Sequence, residues 1–400
     1  MVPSSWVSCN LGDFMDFKNG LNADKNQYGD GLKFVNVMDI FSNDILTEDK
    51  IIGRVKVSEN QLEGNLLKFG DVLFNRTSET FDEVAMSAVY LDDKPAVFGG
   101  FVIRARPSNE VLAPEYSVYL FQSPKFRGQV IKLGQGAVRT NIGQKDLAKV
   151  KVSIPPLPEQ KKIAQILSTW DKAITTTEQL LANSQRQKKA LMQQLLTGKK
   201  RLLDENGVRF SEEWKWLKAS ELFKTVSKIN NSDSEKLLAV TQDQGVLPRH
   251  LLERRVVMPE GTTHGYKLVV PGNFIISLRS FQGGLEYSSY QGLVSPAYTV
   301  LEPIRAINDE FYKHYYKSYD FIGHLAVAVI GIRDGKQISY ADFSFLKLPY
   351  PDLEEQQKIA AVLAFVDQEI ERLQQKIEIL KKEKKALMQQ LLMGKRRVKP

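Results

Sequence analysis

Residues Pro155–Ala164 return, with substitutions, as Pro351–Ala360, and Lys188–Leu196 return unchanged as Lys384–Leu392, so one offset of 196 residues holds along the whole block. Across residues 155–201 and 351–397, 23 of 47 positions are identical. Neither copy has gained or lost a net residue between those ends. A chain assembled from two such copies is a two-armed molecule.

Both copies read as long helices, because apolar residues recur with the narrow 3-4 spacing of a coiled-coil seam. The first seam is Ile163, Leu167, Trp170, Ile174, Thr177, Leu181, Ser184, Lys188, Leu191 and Leu195. The second is Ile359, Leu363, Val366, Ile370, Leu373, Ile377, Leu380, Lys384, Leu387 and Leu391, interrupted only by Lys384. Like charges at Lys188 and Lys384 are expected to weaken pairing locally. Prolines before each segment and Gly198 and Gly394 after them mark the ends. A helix of about 38 residues is roughly 57 Å long, more than an ordinary globular helix needs, and equal lengths favour pairing within the chain.

The repeat divides the 400 residues into a first domain at 1–154, a first helix at 155–201, a second domain at 202–350, a second helix at 351–397 and a tail at 398–400. Short β-forming runs separated by Gly, Asn and Asp fill the domains. They are Val35–Val37, Asp71–Phe74, Phe101–Arg106 and Val130–Leu133 in the first, and Leu237–Val240, Leu268–Val270, Phe274–Ile276 and Tyr298–Leu301 in the second. The expected fold class is α+β, with two mixed, β-rich domains separated by two long helices. The domains also echo one another, Trp6 with Leu11–Phe14 matching Trp214 with Ala219–Leu222 at equal spacing.

Cys9 is the only cysteine, which excludes an intrachain disulfide or a cysteine zinc cluster and makes the cytoplasm the default compartment. No signal-like start and no apolar run of membrane length occurs, so membrane partners are not expected. The net charge of +8 resides in the helical segments, with nine basic against three acidic residues in the first and ten against eight in the second, while the domains are near neutral. Nucleic-acid contact by the domains therefore requires local clusters.

The segments Gly136–Ile142 and Lys145–Leu147, followed by Ile154–Ala164, resemble the junction between a target recognition domain and its spacer helix in type I restriction-modification specificity subunits. Ile338, Asp342, Pro351 and Leu353–Ala360 repeat the pattern, and the resemblance in architecture spans essentially the whole chain. It implies an antiparallel coiled coil holding two recognition domains apart, each reading one half of a split, asymmetric DNA sequence. It further implies a noncatalytic chain in partnership with double-stranded DNA, two modification (methyltransferase) subunits and two restriction (translocase and endonuclease) subunits. S-adenosylmethionine, ATP and Mg are then expected on those partners, with no cofactor on this chain.

The residues agree with a noncatalytic role, for no Walker A sequence, dinucleotide-binding glycine loop or Asn-Pro-Pro-Tyr motif is present. His250, His264, His314 and His324 have no familiar metal-site spacing. Base reading needs Arg, Lys, Asn, Gln or Ser at loop tips. The candidates are Arg76, Ser78, Gln135 and Arg139, with Lys132 and Lys145 for phosphate, in the first domain. In the second they are Arg249, Arg279, Ser280, Gln282 and Arg333, with Arg254 and Arg255 for the backbone. Two rival readings are a noncatalytic coiled-coil scaffold for protein partners and a DNA enzyme fused to its own reader; the missing motifs count against the latter.

Overall fold

Narrow apolar seams and clean stop signals produce two uninterrupted helices, Leu157–Leu195 with 39 residues and Leu353–Leu392 with 40. The computed structural model describes residues 3–136, 138–229, 236–242, 244–252, 263, 265–278, 280–328 and 338–399. Every seam position of both helices is buried or half-buried. Gly198 and Gly394 close the helices with φ of +70° and +68°, a backbone region that costs glycine little. Beyond each glycine the chain turns back, the Lys200 N–H donating to the Gln194 carbonyl at 3.0 Å and the Arg396 N–H to that of Gln390 at 3.1 Å.

The chain divides into two units, Met1–Thr177 with Lys376–Pro400, and Glu178–Gln375. Each contains one domain and part of both long helices. In the first unit Lys384 pairs with Asp171, and Arg397 with Glu159, so the helix segments run antiparallel. In the second unit Lys188 pairs with Asp367 at 2.5 Å and Arg201 with Glu355 at 2.6 Å, again in antiparallel order. Coiled-coil pairing of two helices with two mixed, β-rich domains is thus the architecture. The expected weakening at Lys188 and Lys384 is corrected by these contacts: each lysine meets an aspartate of the other helix.

The first domain is built on a five-stranded sheet ordered Met15–Asn19, Val102–Pro107, Val72–Asn75, Ser87–Tyr90 and Ile45–Leu46. Its pairings are antiparallel except the last, and Ile103 lies opposite Phe74 and Val72 opposite Val89. Tyr28–Val35 forms a smaller sheet with Arg54–Val55 and Ala96–Phe98. Phe74, Phe121 and Phe126 meet in the core with centroids 5.1–5.8 Å apart, a spacing that adds aromatic contact energy to their burial. The β-like run Val130–Leu133 is instead the last turn of a helix, Pro124–Leu133. Pro124 at its first position and a Ser123 hydroxyl accepting the Phe126 N–H start that helix, and buried Phe126 and Val130 fix its inner face, overriding local β propensity. Likewise Val35 ends a strand, whereas Val37 opens a short helix capped by the Asn36 side chain.

The second domain repeats the framework in a four-stranded antiparallel sheet ordered Phe223–Val226, Thr299–Pro303, Phe274–Ile276 and Glu286–Tyr287. Phe223 anchors its core against Phe274, Tyr312, Tyr316 and Phe343. The mounting on the helices is shared. Val7–Asn10 pairs with Lys151–Ile154 immediately before the first long helix, as Lys215–Lys218 pairs with Lys347–Tyr350 before the second. Among the described residues no helix is long and apolar enough to cross a membrane.

Candidate nucleic-acid interface

A buried carboxylate anchors each domain to its helix. Trp6 Nε1 donates to Glu159 at 3.1 Å, and Arg397 grips both oxygens of that carboxylate at 2.7 and 2.8 Å. In the second unit Trp214 Nε1 donates to Glu355 at 2.9 Å, and Arg201 grips it at 2.6 and 2.7 Å. Bidentate guanidinium pairing satisfies a carboxylate that would be costly to bury alone. At the next residue, Gln160 accepts the Ala113 N–H and donates to the Pro155 carbonyl, while Gln356 does the same with Asn308 and Pro351. These contacts hold each domain's framework, leaving its loops free to differ.

In the first domain the candidate reading residues gather at one edge. Thr77–Ser78 pairs antiparallel with Thr140–Asn141, and Gln135 and Asn141 exchange backbone hydrogen bonds at 2.9 and 2.8 Å, which close a turn whose described residues are 135, 136 and 138–141. Gly136 lies in that turn at φ +126°, and a Cβ there would meet the Arg139 carbonyl at 2.1 Å, so only glycine fits. The Arg76 N–H donates to the Phe101 carbonyl, and its own carbonyl accepts from Ile142, which sets Arg76 between those two segments. Arg76, Gln135 and Arg139 are exposed there. Lys132 is exposed at the end of the Pro124–Leu133 helix, and Lys145 on the short helix Gln144–Ala148.

Ser78 differs from its companions. It is 5% exposed, its hydroxyl donates to Glu83 at 3.0 Å and accepts the Thr80 N–H, so it shapes the loop. Two residues that sequence reasoning passed over hold this edge. Asn141 accepts the Thr77 hydroxyl at 2.7 Å, and Arg127 donates to the Ala85 and Asp82 carbonyls at 2.7 Å each. Burial lowers the Arg127 pKa, and Asp82 opposes that shift. Asn141 stands in the motif that carries the family resemblance; Arg127 gave no signal, since its partners are carbonyls distant in sequence.

The second domain brings fewer candidates together. Ser280 is buried, and its hydroxyl accepts the Ser277 N–H at 2.8 Å, whereas Gln282 is exposed on the helix Ser280–Gly283. Arg249 opens the turn Arg249–Leu251 after the hairpin strand Gly245–Pro248, with Nε and Nη1 buried and without a hydrogen-bond partner among the described residues. No described contact joins Arg249 to Gln282. Arg254, Arg255, Arg279 and Arg333 lie outside the described residues, as does His264. Among the described residues no group of histidine, cysteine and carboxylate side chains is arranged to hold a metal ion.

The family model for the type I restriction modification DNA specificity domain matches residues 3–183 and again 212–381, one match for each half. The MjaVIII specificity subunit of a type I restriction enzyme from Methanocaldococcus jannaschii is 24% identical, covering 100% of this chain and 94% of its own length. In fold the chain is similar to the type I restriction-modification S subunit from M. genitalium, with TM-score 0.56, 14% identity, and 98% and 96% of the two chains covered. It is similar also to the HsdS subunit from Thermoanaerobacter tengcongensis, with TM-score 0.54, 18% identity and 98% of each chain covered.

Proposed function

The chain belongs to the type I restriction-modification DNA specificity family, the noncatalytic specificity component of such complexes, and on that premise we propose that it reads a split DNA sequence for partner enzymes. Residues 1–154 and 202–350 act as two target recognition domains, each reading one half of an asymmetric site in double-stranded DNA. The spacer helices at 155–201 and 351–397 set the unspecified gap, because a stiff rod fixes one distance where a flexible linker would permit several. The observation that carries this reading is the repeated anchoring of two unlike domains: the same Trp–Glu–Arg contact recurs at Glu159 and Glu355 while the exposed edges differ.

Arg76, Gln135 and Arg139 are the base-reading candidates of the first domain, with Ser78 shaping their loop and Lys132 and Lys145 meeting phosphate. Arg249, Gln282, Arg279 and Arg333 are those of the second, with buried Ser280 shaping its loop and Arg254 and Arg255 on the backbone. Two modification subunits and two restriction subunits complete the cytoplasmic assembly. They supply adenine methylation with S-adenosylmethionine and cleavage with ATP and Mg, and this chain supplies no cofactor. The outer faces near Lys188–Leu196 and Lys384–Leu392 offer two similar docking surfaces for the modification subunits.

Selection of bound sequences from random duplexes, with the full chain alone and with its modification partners, tests the reading. Enrichment of one two-part sequence with a fixed gap is the expected result. Uniform binding, or enrichment of a single uninterrupted sequence, would overturn it.

A further inference from the structure

An isolated apolar side chain in water is ordinary on a protein surface, yet Val138 stands at 89% exposure on a turn whose geometry is unusually constrained. The paired backbone bonds of Gln135 and Asn141 close its base, the Asn141 side chain donates to the Arg139 carbonyl at 3.1 Å, and Thr77 fixes Asn141 from the adjoining strand. Gly136 packs its backbone closely against the Arg139 carbonyl, and Val138 stands exposed beside exposed Arg139. Phe101, 63% exposed, lies on the segment bonded to Arg76, so the same edge exposes a second large apolar group among the candidate reading residues. Bulk charge does not explain the edge, because exposed Glu79 and Asp82 stand on the neighbouring loop.

Of the groups that base pairs display in the major groove, only the thymine 5-methyl is apolar; the others are hydrogen-bond donors and acceptors. A valine presented next to an arginine matches a methyl group beside a polar base edge or a phosphate. We propose that Val138 contacts the 5-methyl group of a thymine in the half-site read by the first domain and contributes to its specificity. This inference rests on the DNA-reading function proposed above.

The test uses the full chain assembled with its modification partners and duplexes of the enriched split sequence. Each thymine of the first half-site is replaced in turn by deoxyuracil, which lacks only the methyl group. One position is expected to weaken binding about fourfold, the value of one buried methyl-sized group. Val138→Ala should weaken binding to the thymine duplex by a similar factor and abolish the deoxyuracil effect at that position, while responses in the second half-site stay unchanged. Val138→Thr, which keeps one methyl, should retain part of the effect. Indifference of every first-half thymine to deoxyuracil would overturn the inference, as would a full deoxyuracil penalty in Val138→Ala, or its loss only in Phe101→Ala. Binding to a split site without any methyl effect leaves the DNA-reading function standing and removes this inference alone; failure to enrich a split site removes both.

Discussion

Asp171 and Asp367 occupy the same place in the two copies of the helix, and both meet a seam lysine, but the domain side chain that joins them differs. In the first unit the Tyr119 hydroxyl donates to Asp171 at 2.8 Å and the Lys384 ammonium lies 5.6 Å from the Tyr119 ring centroid. In the second, buried His314 approaches Asp367 only to 3.8 Å, and its Nε2 has no hydrogen-bond partner among the described residues. The phenol completes a network that the imidazole leaves open. Duplication has therefore preserved the interactions that pair the helices, while the domain contacts beside them have diverged in polarity and in response to protons.

The largest contrast is expected in the domain cores. Among the described residues Phe223 has four aromatic neighbours and Phe74 two. Phe223→Ala should destabilise its unit by about 4–5 kcal/mol and Phe74→Ala by about 3–4 kcal/mol, as measured by site-resolved hydrogen exchange in denaturant. Equal losses would show that the extra ring contacts add nothing.

The anchors differ next. Arg201 and Glu355 are both largely buried, whereas Arg397 is half-exposed on a buried Glu159. Arg201→Ala should cost about 3 kcal/mol by leaving the buried Glu355 carboxylate without a counter-charge and with only the Trp214 N–H on it, and Arg397→Ala should give the smaller shift in the same exchange experiment. A larger effect at Arg397 would contradict the ranking by exposure.

Acid separates the units further. Burial is the main cause that pushes the His314 pKa down to about 4, with Asp367 opposing and Lys188 and Lys313 adding to the fall. Below pH 6.5 the unfolded imidazole binds a proton that the folded one resists, so this contribution to stability is intact above pH 6.5 and is lost progressively toward pH 4. The loss is on the order of 2–3 kcal/mol. His314→Tyr, which copies the Tyr119 arrangement, should flatten that limb when unit stability is followed against pH. An unchanged slope in the variant would assign the acid response elsewhere. The smallest effect is expected at the lysines, since Asp367 and Asp171 are each about two-fifths exposed: Lys188→Met and Lys384→Met should each change stability by less than about 1 kcal/mol.

The helices were legible because their information is local and periodic: the seam, the prolines before it and the glycines after it each carry their own physical reason. The identities between copies held more than periodicity revealed. Glu159 and Glu355, Asp171 and Asp367, and Arg201 and Arg397 are matched positions, and each pair performs matched structural work. Their partners lie across the coil, so seam spacing within one helix gave no view of them. The Val130–Leu133 run misled because β-branched residues suited a helix once Ser123 and Pro124 had started it. Arg76, Gln135 and Arg139 were recognisable as exposed polar groups near the domain's end, and their convergence depends on the non-local pairing of Thr77–Ser78 with Thr140–Asn141. Composition could not reveal that Ser78 and Ser280 turn inward as loop-forming hydroxyls.

The central claim is that the paired helices determine the separation of two independently read half-sites. One heptad inserted after Glu178 and another after Lys376 preserves seam phase in both helices and adds roughly 10 Å, the length of about three base pairs. Sequence selection with the variant and its modification partners should return both half-sites unchanged, with an unspecified gap about three base pairs longer. An unchanged gap, with both half-sites still selected, would contradict the account.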